Sequence, residues 1–173
     1  MALTGEAIWT VRHDGYSVVP RPVFAHGLVF ICTSFQRSSL LAIRPDGQGD
    51  VTETHVAWKS NDTVSHSPSP IIVGDNLYMV SDRGVASCRD ARSGDLHWKK
   101  RVNGSYSASP IFADGHLYFQ SEDGVVIKPG ETFEVVARNS IGEPTLASYA
   151  VSEGALFVRS ENQLYRIQQD ERR

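Results

Sequence analysis

The chain has 173 residues, a formal net charge of −3, 40% hydrophobic and 21% charged residues. That is the length of one ordinary domain with enough apolar side chains for a packed core, and the slightly acidic balance argues against a nucleic-acid partner, which calls for a basic surplus. No stretch approaches the length and apolarity of a membrane span.

Met1 to Gly15 hold neither an apolar core nor a cleavage site, so they do not read as a signal peptide. A chain complete as it stands is expected in the cytoplasm, and a shortened form of a secreted protein in the periplasm or outside the cell. The first predicted strand is Ile8-Trp9-Thr10-Val11. Trp9, Trp58 and Trp98 each stand 19 residues before a leucine, at Leu28, Leu77 and Leu117, and the same offset back from Leu156 lands on Ala137. The leucines are 49, 40 and 39 residues apart, so one unit recurs four times, the last copy with its tryptophan replaced. Arg21-Pro22-Val23-Phe24-Ala25 opens the first copy, Ser69-Pro70-Ile71-Ile72-Val73 the second, Ser109-Pro110-Ile111-Phe112-Ala113 the third and Ser148-Tyr149-Ala150-Val151-Ser152 the fourth. A turn follows each, at His26-Gly27, Gly74-Asp75-Asn76, Asp114-Gly115 and Glu153-Gly154. The first copy is longer because of an excursion from Ser34 to Ser39 and the glycine-rich Pro45 to Asp50.

Each unit reads as four short strands, the tryptophan on the fourth, and no segment sustains a helical period. Four strands per repeat of about 40 residues is the signature of propeller blades. The expected fold is therefore all-β: a single β-propeller repeat domain over 1–173 with little or no helix and about four blades, forming a partial propeller or a small ring. The blades fall at roughly 18–60, 66–100, 106–139 and 145–168 plus 6–12, the N-terminal strand completing the last.

Asp90-Ala91-Arg92-Ser93-Gly94-Asp95-Leu96-His97-Trp98 has the form D-x-x-[ST]-G-x-x-x-W. It resembles the tryptophan-docking motif of pyrroloquinoline-quinone-like (PQQ-like) propellers, with Cys88 where that family has alanine. The resemblance covers nearly the whole chain, and the last copy, Glu131 to Ala137, lacks both the glycine turn and the tryptophan. It implies that Trp9, Trp58, Trp98, Asp90 and Gly94 dock blade to blade, a flat ring filling the wedge between tilted sheets. The ending Leu164 to Ile167 further resembles the close of PQQ-like repeat proteins, which implies an intact C-terminus and a missing N-terminal part.

Active quinoproteins, the resemblance implies, hold the quinone with a paired-cysteine platform, a floor tryptophan and calcium-binding carboxylates and amides. Cys32 and Cys88 are not adjacent and sit at different repeat positions, and Asp46-Gly47-Gln48-Gly49-Asp50 lacks the glutamate spacing of a calcium hand. Nothing has the setting of a nucleophile elbow. The six histidines show no ligand spacing and read as surface and turn residues. Lys99-Lys100-Arg101 reads as a solvated outer strand and Asn103-Gly104-Ser105 as a turn. Loops that precede the inner strands reach the channel of a propeller, so His66, Ser67, Tyr106 and Ser107 are the candidate ligand-binding residues; a plain polar rim is the alternative.

The leading expectation is a non-catalytic scaffold that binds a protein or a ligand, a fragment of a larger propeller with no cofactor and no metal. By resemblance, the same propeller type serves in an outer-membrane protein assembly lipoprotein that binds partners with its loops. The partners expected are another protein or further blades, with self-association an option. One alternative is part of a quinone-dependent oxidoreductase, with PQQ and calcium; another is a sugar- or polymer-binding propeller using Tyr16, Tyr106 and Tyr149.

Overall fold

A computed structural model describes residues 4–169. All regular structure in them is strand: β1 (Trp9–Thr10), β2 (Val23–Ala25), β3 (Leu28–Cys32), β4 (Leu40–Ile43), β5 (Gly49–Asp50), β6 (Val56–Ser60), β7 (Ile71–Val73), β8 (Asn76–Val80), β9 (Val85–Asp90), β10 (Leu96–Arg101), β11 (Ile111–Ala113), β12 (His116–Phe119), β13 (Asp123–Lys128), β14 (Glu134–Ser140), β15 (Ala150–Ser152), β16 (Ala155–Arg159) and β17 (Leu164–Gln168). Three sheets have four strands, β2-β3-β4-β6, β7-β8-β9-β10 and β11-β12-β13-β14, and a further sheet has three, β15-β16-β17. All pairs within them are antiparallel, and all but β4-β6, which β5 interrupts, join strands consecutive in sequence. These meanders are successive blades of an all-β partial propeller.

The first two strands of every blade are joined by a two-residue hairpin. Three of these turns, His26-Gly27, Asp114-Gly115 and Glu153-Gly154, have positive φ at both residues. That conformation matches the right-handed twist of the flanking strands, and glycine at the second position adopts it without a Cβ clash.

Equal hairpins fix the register and correct one alignment made from the sequence. Phe30 faces Val23 as Tyr78 faces Ile71 and Tyr118 faces Ile111. Val29, not Leu28, therefore corresponds to Leu77 and Leu117. The 19-residue spacing from Trp9 to Leu28 therefore does not correspond to the spacings from Trp58 to Leu77 and from Trp98 to Leu117.

A second expectation is overturned at the N-terminus. Segment 6–12 does not complete the fourth blade; β1 runs parallel to β5, with Trp9 opposite Gly49 and Thr10 opposite Asp50. The N–H groups of Gly49 and Val51 donate to the carbonyls of Ile8 and Thr10, each at 2.9 Å, and Arg12 Nε donates to Asp50 Oδ2 at 2.9 Å. The long excursion between β4 and β6 bears free backbone groups, and β1 satisfies them.

The core lies between blades. Strand alternation sends Leu77 and Met79 into one cluster with Phe30, Cys32 and Trp58 of the first blade. The intervening Tyr78 and Val80 join another cluster with Leu117 and Phe119 of the third blade. A sheet buried on both faces in this way has no polar side along its second strand, as the uniformly buried stretch Leu77–Val80 shows.

Tryptophan closes each of these two wedges. Trp58 Nε1 donates to Ala91 O of the second blade at 3.1 Å, and its ring lies over Gly94, where a Cβ would come within 2.7 Å of Cδ2. Trp98 Nε1 donates to Gly130 O of the third blade at 3.0 Å. The Gly130 N–H donates to the Tyr78 hydroxyl at 2.8 Å, and Phe133 meets Trp98 edge-on with centroids 4.9 Å apart. Asp90 shapes the receiving turn, its Oδ1 accepting the N–H groups of Arg92 (2.8 Å) and Ser93 (2.7 Å).

Candidate functional site

The loops on one rim, between the first and second blades, carry an exposed aromatic cluster. Tyr16 and Phe35, 59% and 48% exposed, stack with ring centroids 5.5 Å apart and planes at 17°. The His66 ring also packs against Phe35, tilted at 44° with centroids 5.5 Å apart. Three separate segments, 12–20, 33–39 and 61–69, contribute one ring each.

Local chemistry holds these loops in place. Ser17, Phe35, Gln36 and Thr63 all have positive φ, costly for side-chain-bearing residues unless surrounding bonds impose it. Those bonds are present. The Thr33 N–H donates to Ser39 O at 2.7 Å, the Ser39 N–H to Thr33 Oγ1 at 2.9 Å, and Asn61 Nδ2 to Ser38 O at 3.1 Å and Ser39 Oγ at 2.9 Å. At Gly15 the first segment presses so closely on the Ser34 carbonyl that any Cβ would collide.

His66 is fixed at both ends. Its N–H donates to Asp82 Oδ2 at 2.8 Å, and its Nε2 is hydrogen bonded to the Ser38 hydroxyl at 2.6 Å. Phe35, Ser38, Thr63, His66, Asp82 and Arg83 border a depression of about 580 Å³. Half-exposed rings over a polar-rimmed hollow suit the burial of an apolar side chain from another chain.

The candidates named from sequence separate. His66 lies in this cluster and Ser67, half-buried, follows it. Tyr106 occupies the equivalent position one blade on, and its N–H donates to the Asp82 carbonyl at 3.0 Å, but its ring is not on the rim. It is 1% exposed, within the cluster between the second and third blades, because the chain turns it into the wedge beside Gly104. Burial raises its phenol pKa. Ser107 is exposed and apart from the cluster. Tyr16, Tyr106 and Tyr149 occupy three different places, Tyr149 standing against Tyr118 beyond the third blade. Phe35 was missed from sequence; a lone phenylalanine in a polar excursion was its one available signal.

The residue set that the resemblance gives to a quinone is not assembled by these residues. Cys32 and Cys88 are fully buried in different sheets. Cys32 Sγ faces Met79 Sδ at 3.8 Å and Cys88 Sγ faces Gly130 O at 3.6 Å, so they form no platform. Among the described residues no three His, Cys, Asp or Glu side chains come together as a metal site.

Successive antiparallel blades with tryptophan-filled wedges and a loop-borne rim define a propeller of PQQ-like blades. A family model described as outer membrane protein assembly factor BamB matches residues 1–132, and the chain belongs to that PQQ-like repeat family. Among solved structures, BamB from Moraxella catarrhalis is similar at 18% identity and a TM-score of 0.64, over 82% of this chain and 43% of that one. A quinohemoprotein alcohol dehydrogenase, ADHIIG from Pseudomonas putida HK5, is similar at 12% identity and a TM-score of 0.67, over 87% of this chain and 29% of that one. A europium-containing methanol dehydrogenase is similar at 10% identity and 0.55, over 69% and 24%. The chain spans less than half the length of each. No curated protein matches it.

Proposed function

We propose that this chain is a non-catalytic section of a larger PQQ-like propeller that holds a protein partner on the Tyr16–Phe35–His66 rim. The observation that carries the reading is the half-exposed Tyr16–Phe35 stack, fixed against His66 by loops in positive-φ conformations. Rigid aromatic anchors lose little conformational entropy on binding, which is why they dominate interface energies. The family description, outer membrane protein assembly factor, supports a partner among outer-membrane assembly proteins and a place in the cell envelope. Among the described residues no helix is long and apolar enough to cross a membrane.

This reading assigns no cofactor to these residues and leaves the three-stranded fourth blade to be covered by further blades or a second copy. A photo-crosslinking amino acid at exposed Arg37, two residues beyond Phe35 in the same loop, should capture one discrete partner from envelope extracts. Tyr16→Ser with Phe35→Ser should abolish that capture while circular dichroism and melting stay as in the wild type. Unchanged capture by the double variant would refute the rim as the site. A calcium-dependent absorbance change on adding PQQ would favour the oxidoreductase reading instead.

A further inference from the structure

The third wedge, between the blades β11–β14 and β15–β17, departs from the other two in a coordinated way. At the register where Trp58 faces Ala42 and Trp98 faces Cys88, Ala137 faces Val126. Two residues after Phe30, Tyr78 and Tyr118 come Cys32, Val80 and Gln120 in turn. Cys32 and Val80 are apolar members of the first two wedge clusters, whereas Gln120 puts a carboxamide there. Tyr149 immediately precedes its inner strand, at the position that Pro22, Pro70 and Pro110 take before the other three.

The result is a cleft of about 640 Å³ in place of a filled wedge, lined by Tyr118, Gln120, Gly124, Asn139, Tyr149 and Ile167 among others. Gln120 is 1% exposed, and its Nε2 has no hydrogen-bond partner among the described residues. An amide N–H left unpaired in a buried place costs about 1–3 kcal/mol, so its presence at a position that is elsewhere apolar calls for an acceptor. Tyr118 and Tyr149 stand edge-to-face with centroids 6.1 Å apart, and burial pushes the Tyr149 phenol up to about 12, which keeps it a neutral donor. Gly124 leaves the space beside it open, since a Cβ there would come within 2.9 Å of the Tyr149 hydroxyl.

The lining also sets the charge of an occupant. Asp114 and Glu122 border the cleft, and no lysine or arginine does so among the described residues that line it. An anion would enter next to carboxylates with no cation to meet it. The volume falls in the range of small-molecule pockets, about 300–1,000 Å³, and the missing group is a flat bicyclic ring.

We propose that the third wedge is a binding site for an uncharged, flat molecule of indole size that bears a carbonyl acceptor for Gln120 Nε2. It stands independently of the partner-binding rim, at the opposite end of the described arc.

Coumarin, a neutral bicyclic carbonyl compound, is the probe. Titrated into the full chain, it should bind saturably and shift the Gln120 side-chain amide signal in ¹⁵N-labelled protein. Gln120→Leu should weaken binding roughly tenfold, the worth of one buried hydrogen bond. Ala137→Trp, which restores the indole of the other wedges, should abolish it, and Lys100→Ala on the outer strand of the second blade should leave it unchanged. PQQ, a tricarboxylate, should not compete. Absence of saturable binding, an unmoved Gln120 amide signal whose only contact is water, equal affinity in Gln120→Leu, or displacement by PQQ would each overturn the proposal. The amide signal is read on the unaltered protein, so the test survives a variant that fails to fold.

Discussion

The backbone N–H of Ser69 donates to the hydroxyl of Ser109 at 3.0 Å, tying the start of one blade's inner strand to the start of the next. The same bond recurs on either side, from Arg21 N–H to Ser69 Oγ at 3.1 Å and from Ser109 N–H to Ser148 Oγ at 2.9 Å. One hydroxyl per blade thus makes a ladder along the channel side, set by the serine that opens the second, third and fourth repeats. Ser109→Ala leaves the half-buried Ser69 N–H unpaired and should cost about 1–2 kcal/mol. Ser148→Ala frees a solvent-exposed N–H that water can satisfy, and should cost less than about 1 kcal/mol. Urea unfolding of the two variants measures the difference, and equal costs would mean that the ladder does not couple blades.

The wedge between the first and second blades allows a sharper test. Gly94 has φ +81°, and a Cβ there would sit 2.7 Å from the Trp58 ring. Gly74 has φ +61° with open space around it. Gly74→Ala should carry only the left-handed backbone penalty, about 1–2 kcal/mol. Gly94→Ala adds displacement of a packed ring and should cost a further 1–3 kcal/mol, roughly. In a Trp58→Ala background that extra cost should vanish, a coupling that a double-mutant cycle reads directly. Additive effects would show that the ring does not rest on the glycine.

What could be read from the sequence divides along physical lines. The blades were legible because the repeat imposes the same strand lengths and turns each time, so His26-Gly27, Asp114-Gly115 and Glu153-Gly154 announced their hairpins. The placement of β1 was not, since its parallel pairing with β5 spans a long loop and leaves no periodic trace. His66 could be picked from its position before an inner strand, but Tyr106 at the same position turns inward. Its direction depends on the space that Gly104 leaves in the neighbouring wedge, which no local pattern encodes. Tyr16 and Phe35 meet only in three dimensions. The hollow third wedge was half legible: Ala137 marked the missing indole, while the polar replacement at Gln120 emerged only with the hairpin register.

Acid should loosen the blade-docking turn. The Asp90 carboxylate lies below its ordinary pKa, first because the Ser93 N–H donates to it and then because the Arg92 N–H does so. A depressed carboxylate pKa contributes stability that is full above the unfolded value, about 3.9, and is lost as pH falls through the folded value. The melting temperature of Asp90→Ala should therefore lie furthest below wild type near neutrality, and the gap should close on acidification below about pH 3–4. Thermal melts across that range provide the check, and a gap that widens in acid would contradict the assignment.

The two cysteines report on the wedges. Cys32 faces Met79 between the first and second blades, and Cys88 lies beside Trp98 between the second and third. Both are fully buried, and burial pushes their thiols up, Cys32 to about 12 and Cys88 to about 11. Thiolate is the reacting form, so neither should react with a disulfide-forming chromogenic reagent in the native state. Raising the pH from about 7 to about 9, which crosses the ordinary thiol value near 8.5 and accelerates an exposed cysteine, should leave both silent as long as the fold persists. In urea both should react at once, giving two equivalents. If Cys88 reacted under native conditions while Cys32 stayed silent, the second wedge would be opening by itself. Its slow rate would then give the free energy of that opening, and the wedge tryptophan Trp98 would not be the lock that its 3.0 Å bond to Gly130 indicates.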